Sequence, residues 1–185
     1  MAAMNPRLVV LLLCASLFPA VQAKAKTILP DSCGDDSVTF DVSTKKDQPP
    51  PPPPAEGKAQ IVFIEDENAK LDSFRYANVR YGLDGAWVGA NYGDSYFIID
   101  VTPGVHHVCA NVQASKLWLG IFKKAVDMAT FTAEAGKVYY FSANMKVTRS
   151  GDDSRTFDFT FSPIDEEEGR YRVKAWKVAT WKIKK

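Results

Sequence analysis

The chain has 185 residues, with 23 Lys and Arg against 22 Asp and Glu and a hydrophobic share of 46%. Charge this evenly balanced sets up no field that would gather nucleic acid or an anionic membrane surface, so neither is expected as a partner. The length suits one domain with a substantial core.

The first residues, MAAMNPRLVVLLLCASLFPAVQA, read as a secretory signal. Arg7 supplies the positive start. Leu8 to Phe18 is apolar but too short to span a bilayer, and Val21-Gln22-Ala23 is a small-residue cleavage site. Cys14 follows Leu13, where lipid attachment needs a small residue. The mature chain is expected to begin at Lys24, to be exported to the periplasm or beyond, and to hold no transmembrane segment. Arg7 is the only charged residue ahead of Lys24, so cleavage leaves 22 bases against 22 acids. It also leaves two cysteines, Cys33 and Cys109. In an oxidising compartment they are expected to form one disulfide.

Val38, Phe40 and Val42 alternate with polar residues and predict a short strand in an N-terminal arm, residues 24–48. Six prolines, Pro49 to Pro54, then form a stiff polyproline spacer (residues 49–57) of about 19 Å at ~3.1 Å per residue. If Cys33 bonds Cys109, this spacer carries the arm's strand back across the surface of the main domain, residues 58–185.

That domain reads as strands. AQIVFIE is β-branched and apolar. NVRYGL and AWVGA flank Asp84-Gly85, a strong two-residue hairpin signal. SYFIIDV, VHHVCANV, ATFTAE and KVYYFSANMKV follow, separated by Pro103-Gly104 and Ala135-Gly136. RTFDFTF places Phe157, Phe159 and Phe161 on one face. Ser162 as N-cap, Pro163 as first helical residue and the acids Asp165 to Glu168 predict a helix of one or two turns, limited by Gly169. RYRVKA then alternates and predicts a last strand. The expected fold is all-β: an antiparallel two-sheet sandwich, immunoglobulin-like or prealbumin-like, with one short helix near the C-terminus. No repeat and no phosphate loop is present, and no cofactor is expected.

GKAQIVFIE, LDGAWVGANYGDSYFIIDVTPGVHHVCA, FTAEAGKVYYF and SPIDEEEG resemble the exported bacterial family called domain of unknown function 2846, over roughly Gly57 to Gly169. The resemblance implies a compact β-sandwich of the bacterial envelope. It implies no activity and assigns no functional residue.

Candidate surfaces come from the residues themselves. A strict hairpin at Asp84-Gly85 pairs Leu83 with Ala86, Tyr81 with Val88 and Val79 with Ala90, an apolar face for the core. Asn78, Arg80, Gly82, Trp87 and Gly89 then face outward. Trp87 is either a stacking platform or a ring that covers bare strand backbone or lies under the proline spacer. His106 and His107 are adjacent on a strand and point to opposite faces, so they do not share a metal. A strict turn at Pro103-Gly104 would set Asp100 against His107, but a corner between sheets fits that turn better. No nucleophile accompanies the couple, so catalysis is not expected. Asp35-Asp36 and Asp152-Asp153 lack the alternating ligand spacing of a calcium loop, and no metal site is expected.

KLWLGIFKK places Trp118 among apolar residues 117–122, either buried at one end of the sandwich or exposed to a partner. Arg170 to Lys185 holds seven bases and no acid, with Tyr171, Trp176 and Trp181 between them. It is read as a lysine-guarded edge strand or as a surface for anionic envelope polymers. The reading is of an exported, non-enzymatic binding or accessory module for an envelope polymer or protein. The alternatives are a glycan-binding module using Trp87, Tyr92 and Tyr96 and, less favoured, a hydrolase.

Overall fold

The computed structural model describes residues 29–46, 48–66, 77–113, 125–149 and 155–184. Among these residues, ten strands form two sheets. They are β1 (Phe40–Lys45), β2 (Ala59–Asp66), β3 (Asn78–Leu83), β4 (Ala86–Asn91), β5 (Ser95–Val101), β6 (Gly104–Gln113), β7 (Val126–Ala133), β8 (Val138–Arg149), β9 (Arg155–Ile164) and β10 (Lys177–Ile183). The larger sheet runs β1-β10-β5-β2-β8-β9 and the smaller β4-β3-β6-β7. The fold is the expected all-β sandwich, although β2 pairs β8, and β10 pairs β5, in parallel. β1, in the segment read as an arm, is a strand of the larger sheet. Pro103-Gly104 is a corner that takes the chain from β5 in one sheet to β6 in the other. Asp100 therefore lies against Gln60 and not against His107.

The two inner faces meet in an aromatic core. Phe63, Phe97, Phe141 and Phe161 of the larger sheet pack with Val79, Tyr81, Val108, Ala110 and Val112 of the smaller. Alternation along each strand delivers this layer. β2 departs from simple alternation: Ala59, Ile61 and Phe63 are buried toward the core, and Val62 and Ile64 are buried on the opposite face. A strand apolar on both sides needs cover on both sides.

Cys33 and Cys109 form the expected disulfide, with Cα atoms 5.6 Å apart. The arm ahead of β1 thereby lies over the outer face of the smaller sheet. Its Ser32 carbonyl accepts from the Gly85 amide at 3.2 Å, and Leu29 and Cys33 are buried with Cys109 against Trp87 and Val126.

The turn at Asp84-Gly85 forms as expected, with φ of 50° and 88°. Its register does not continue strictly. Gly82 faces Trp87, but Tyr81 faces Gly89 and Val79 faces Asn91, so Val88 is an extra residue in a bulge. The pairs Tyr81–Val88 and Val79–Ala90 are thus corrected, and Gly89 turns inward. Large aromatics from the opposite sheet require this: a Cβ on Gly89 would stand 2.7 Å from Phe97 and 2.8 Å from Trp181.

Trp87 keeps to the outer face but is no bare platform, nor does the proline spacer cover it. The arm does. Its Nε1 donates to the Asp35 carbonyl at 2.7 Å, and the Arg80 guanidinium lies 4.2 Å from its ring centre. Trp87→Ala is expected to cost about 2 kcal/mol, since it removes both contacts and opens a gap beneath the arm. Urea unfolding of the purified variant measures this; a cost within experimental error would mean the arm does not depend on the ring.

The helix also differs from expectation. α1 spans Glu166–Ala175, and Asp165 caps it by accepting from the Glu168 amide at 2.8 Å. Ser162 and Pro163 belong to β9, paired with Ser142 and Phe141; a proline is tolerated there because β9 is an edge strand. RYRVKA is helix and not strand. Gly169 does not limit the helix; it lets α1 close on the sheet, because a Cβ there would stand 2.3 Å from the Tyr140 ring. Arg172 then ties α1 down through Asp66 at 3.0 Å and the Ser142 hydroxyl at 2.7 Å, and within the helix it pairs with Glu168.

The last strand is β10, and it is not an edge. It lies between β1 and β5, with Trp181 in the core 4.4 Å from Phe97 between ring centres. The reading of a lysine-guarded edge for the tail is therefore corrected: β1 holds that edge.

Candidate binding groove

The outer face of the larger sheet carries a second apolar cluster. Val62, Ile64, Tyr96 and Tyr140 are buried in it, with Ile98, Val138, Ile164, Val173, Trp176 and Val178 packed at its margins. Among the described residues, two pieces of chain cover this face. One is α1, seated through Gly169. The other is the proline run.

Topology explains the second cover. β1 lies at the sheet edge, and β10 and β5 separate it from β2. The link from Lys45 to Ala59 must therefore cross three strand spacings, about 14 Å at ~4.8 Å each. β1 and β2 also run in the same direction, since both are antiparallel to the β10–β5 pair. The link must accordingly return along the strands as well. A helix usually makes such a crossover; here a polyproline strap does. Prolines suit an exposed crossover because they bring no N–H group that would need a partner. Pro51 and Pro54 are half-buried while Pro49, Pro50, Pro52 and Pro53 are exposed. That spacing of three is the period of a polyproline helix with one ridge turned to the sheet. Gln60, buried on β2, fastens the strap: its Nε2 donates to the Pro52 carbonyl at 3.4 Å and to Asp100 at 3.2 Å.

Strap, sheet and helix enclose a groove of about 1070 Å³. Val62, Tyr96, Val138 and Tyr140 form its floor, Pro49 to Pro54 one wall, and Arg170, Val173, Lys174 and Trp176 the other. Ligand sites of this type are concave, mostly apolar and provided with a few polar groups, and they measure ~300–1,000 Å³. Burial raises the Tyr140 phenol above its ordinary value, against the opposing charge of Arg170 beside it.

The residues read from sequence as candidate binders divide among three places. Tyr96 and Trp176 meet in the groove. Trp87 lies under the arm on the other sheet, and Trp181 lies in the core. Tyr92 sits half-buried beyond β4, where its backbone carbonyl accepts from Ser95 at 3.1 Å. Trp87 and Tyr96 are thus on outer faces of opposite sheets and share no aromatic row. Trp118 and residues 117–122, like Asp152-Asp153 and the stretch expected to be a signal, lie outside the described residues. Tyr140, Gln60 and the strap itself were missed as site-forming residues.

An acid–base couple does form, but between residues not paired in the sequence reading. His106 Nδ1 is 2.7 Å from Asp84 Oδ2, and its Nε2 is 2.7 Å from the Thr102 carbonyl. Both partners are acceptors, so the geometry suits the protonated ring, in which both nitrogens donate. Neither nitrogen is open to serve as a general base. Burial works against charge on both groups. The Thr102 carbonyl and Asp84 outweigh it and hold His106 above its ordinary 6.5; the His107 amide and His106 outweigh it and hold Asp84 below its ordinary 3.8. The couple staples the hairpin turn to the corner between sheets.

The raised folded pKa of His106 fixes the sign of its pH dependence. Its stabilising contribution is complete below the ordinary value of 6.5 and is lost as pH climbs through the higher folded value. The stability gap between the wild type and His106→Gln is therefore expected to narrow between about pH 6 and about pH 9. Urea unfolding of both proteins at the two pH values measures it, and an unchanged gap would contradict the staple.

The aspartates read as calcium candidates have other roles. Asp35 Oδ1 accepts from the Ser37 amide and hydroxyl at 2.8 and 2.6 Å, and Asp36 lies 3.8 Å from Arg80. Among the described residues, no group of three or more His, Cys, Asp or Glu side chains is placed to hold a metal ion. No described helix is long and apolar enough to cross a membrane. No protein-family model matches the chain, and neither does any curated protein.

Proposed function

We propose that this chain is an exported, non-enzymatic binding module of a bacterial envelope, and that it takes its ligand in the strapped groove. The groove carries the reading: an aromatic-floored space of about 1070 Å³, held open under a polyproline wall on a face that the described side chains do not fill. A wall of prolines keeps its shape without a ligand, because its backbone is already restricted. The Cys33–Cys109 bond supports export, since such bonds persist in oxidising compartments. The resemblance to an exported sandwich family supports the same location. A binding role is favoured over catalysis because the acid–histidine couple found among the described residues has both ring nitrogens committed to structure.

The test compares the wild type with Val138→Trp, which fills the groove from its floor. Both proteins are purified from envelope extract without detergent and denatured, and the small molecules released are identified by mass spectrometry. A compound carried by the wild type and absent from the variant is the expected result. Equal loading of both proteins, or no compound on either, would overturn the reading.

A further inference from the structure

The groove's charge is one-sided. Lys46, Arg170 and Lys174 line it, and among the described lining residues none is acidic. The rest of the lining is largely apolar: Val62 and Val138 on the floor, Val173 and Trp176 on the helix side, and the prolines of the strap. Arg170 is held at the rim by Glu166, which one guanidinium nitrogen meets at 2.5 Å, and it lies beside Tyr140. A guanidinium has five N–H donors, so donors remain for a ligand. Lys174 is one turn further along the same helix and is exposed.

From this arrangement we infer that the groove takes an amphiphilic anion: an apolar body on the Val62–Tyr96–Tyr140–Trp176 floor and a carboxylate or phosphate head at Arg170 and Lys174. This rests on the strapped groove being the ligand site, and it adds the ligand's class. Each part of the molecule meets its counterpart. Aliphatic or aryl carbon leaves water for an apolar and aromatic floor. The head forms charge-assisted hydrogen bonds with a planar guanidinium that can grip two oxygens at once. A cationic amphiphile would meet three like charges, and a neutral sugar would leave the apolar strap face without a match.

Four probes of equal chain length separate these contributions: decanoate, decyl phosphate, 1-decanol and decyltrimethylammonium, each titrated below its aggregation threshold. Binding is followed by tryptophan fluorescence and calorimetry on the mature, disulfide-bonded protein. Saturable binding of decanoate or decyl phosphate is expected, about tenfold or more tighter than the alcohol, with the cation weakest. Whichever anion binds more tightly identifies the head. In Arg170→Gln/Lys174→Gln the anion's advantage over the alcohol should vanish while the alcohol's own affinity holds. Val138→Trp should abolish both. Equal binding of alcohol, cation and anion, unchanged in the double variant but lost in Val138→Trp, would overturn the anionic class and leave the groove as the site. Binding that persists in Val138→Trp would overturn the groove itself.

Discussion

Replacing Cys109 with serine is expected to remove about 4.5 kcal/mol of stability. Cys33 and Cys109 are 76 residues apart, and closing a loop of that length in the unfolded chain accounts for about this much on the chain-entropy argument. The folded state adds to the loss. Cys109 is fully buried, so serine would place a hydroxyl among Leu29, Cys33, Trp87 and Val126. The effect should reach further than the bond, since the arm that covers Trp87 and bonds Gly85 is held there by Cys33. Urea unfolding of the oxidised wild type and the variant gives the difference directly. A loss below about 1 kcal/mol would show that the arm holds its place without the covalent link.

Phe63→Ala is expected to cost about 3–5 kcal/mol. Phe63 is fully buried, and its ring centre lies 4.9 Å from Tyr81, 5.1 Å from Phe97, 6.3 Å from Phe161 and 6.4 Å from Phe141. Removing it leaves a cavity between the two sheets that strand backbones paired on both sides cannot close. The same measurement tests it, and a loss under about 1.5 kcal/mol would mean that the sheets are not held together through this ring cluster.

What was legible in the sequence follows the range of the interactions involved. Alternation, the Asp84-Gly85 turn and the Pro103-Gly104 corner are local signals, and the strands they mark are present. The disulfide was legible because only two of the three cysteines, Cys33 and Cys109, lie beyond the stretch expected to be a signal. The helix was half legible. Its acidic first turn is real, but Ser162 and Asp165 are both competent caps, and β9 claims Ser162 through its pairing with Ser142. RYRVKA alternates well enough for a strand; the contacts of Arg172 and the close approach at Gly169 decide for a helix, and both partners lie far away in sequence.

The bulge that turns Gly89 inward answers to Phe97 and Trp181, which a hairpin rule does not contain. The groove was the least legible feature. Tyr96 and Trp176 were each singled out, but 80 residues separate them. Only the sheet order and the crossover of the proline run bring them together. One local hint was available: AQIVFIE is apolar at successive positions, which signals a strand buried on both faces and hence something lying across its outer side.

The central claim is that the space under the proline strap is where this protein binds. The most direct test is to follow the indole N–H resonances of ¹⁵N-tryptophan-labelled protein during a titration with decanoate. Trp176 lines the groove, whereas Trp87 lies under the arm and Trp181 lies in the core. The expected result is a saturable shift of the Trp176 resonance while those of Trp87 and Trp181 stay in place. A Trp176 resonance that does not move, or a shift confined to Trp87, would contradict the claim.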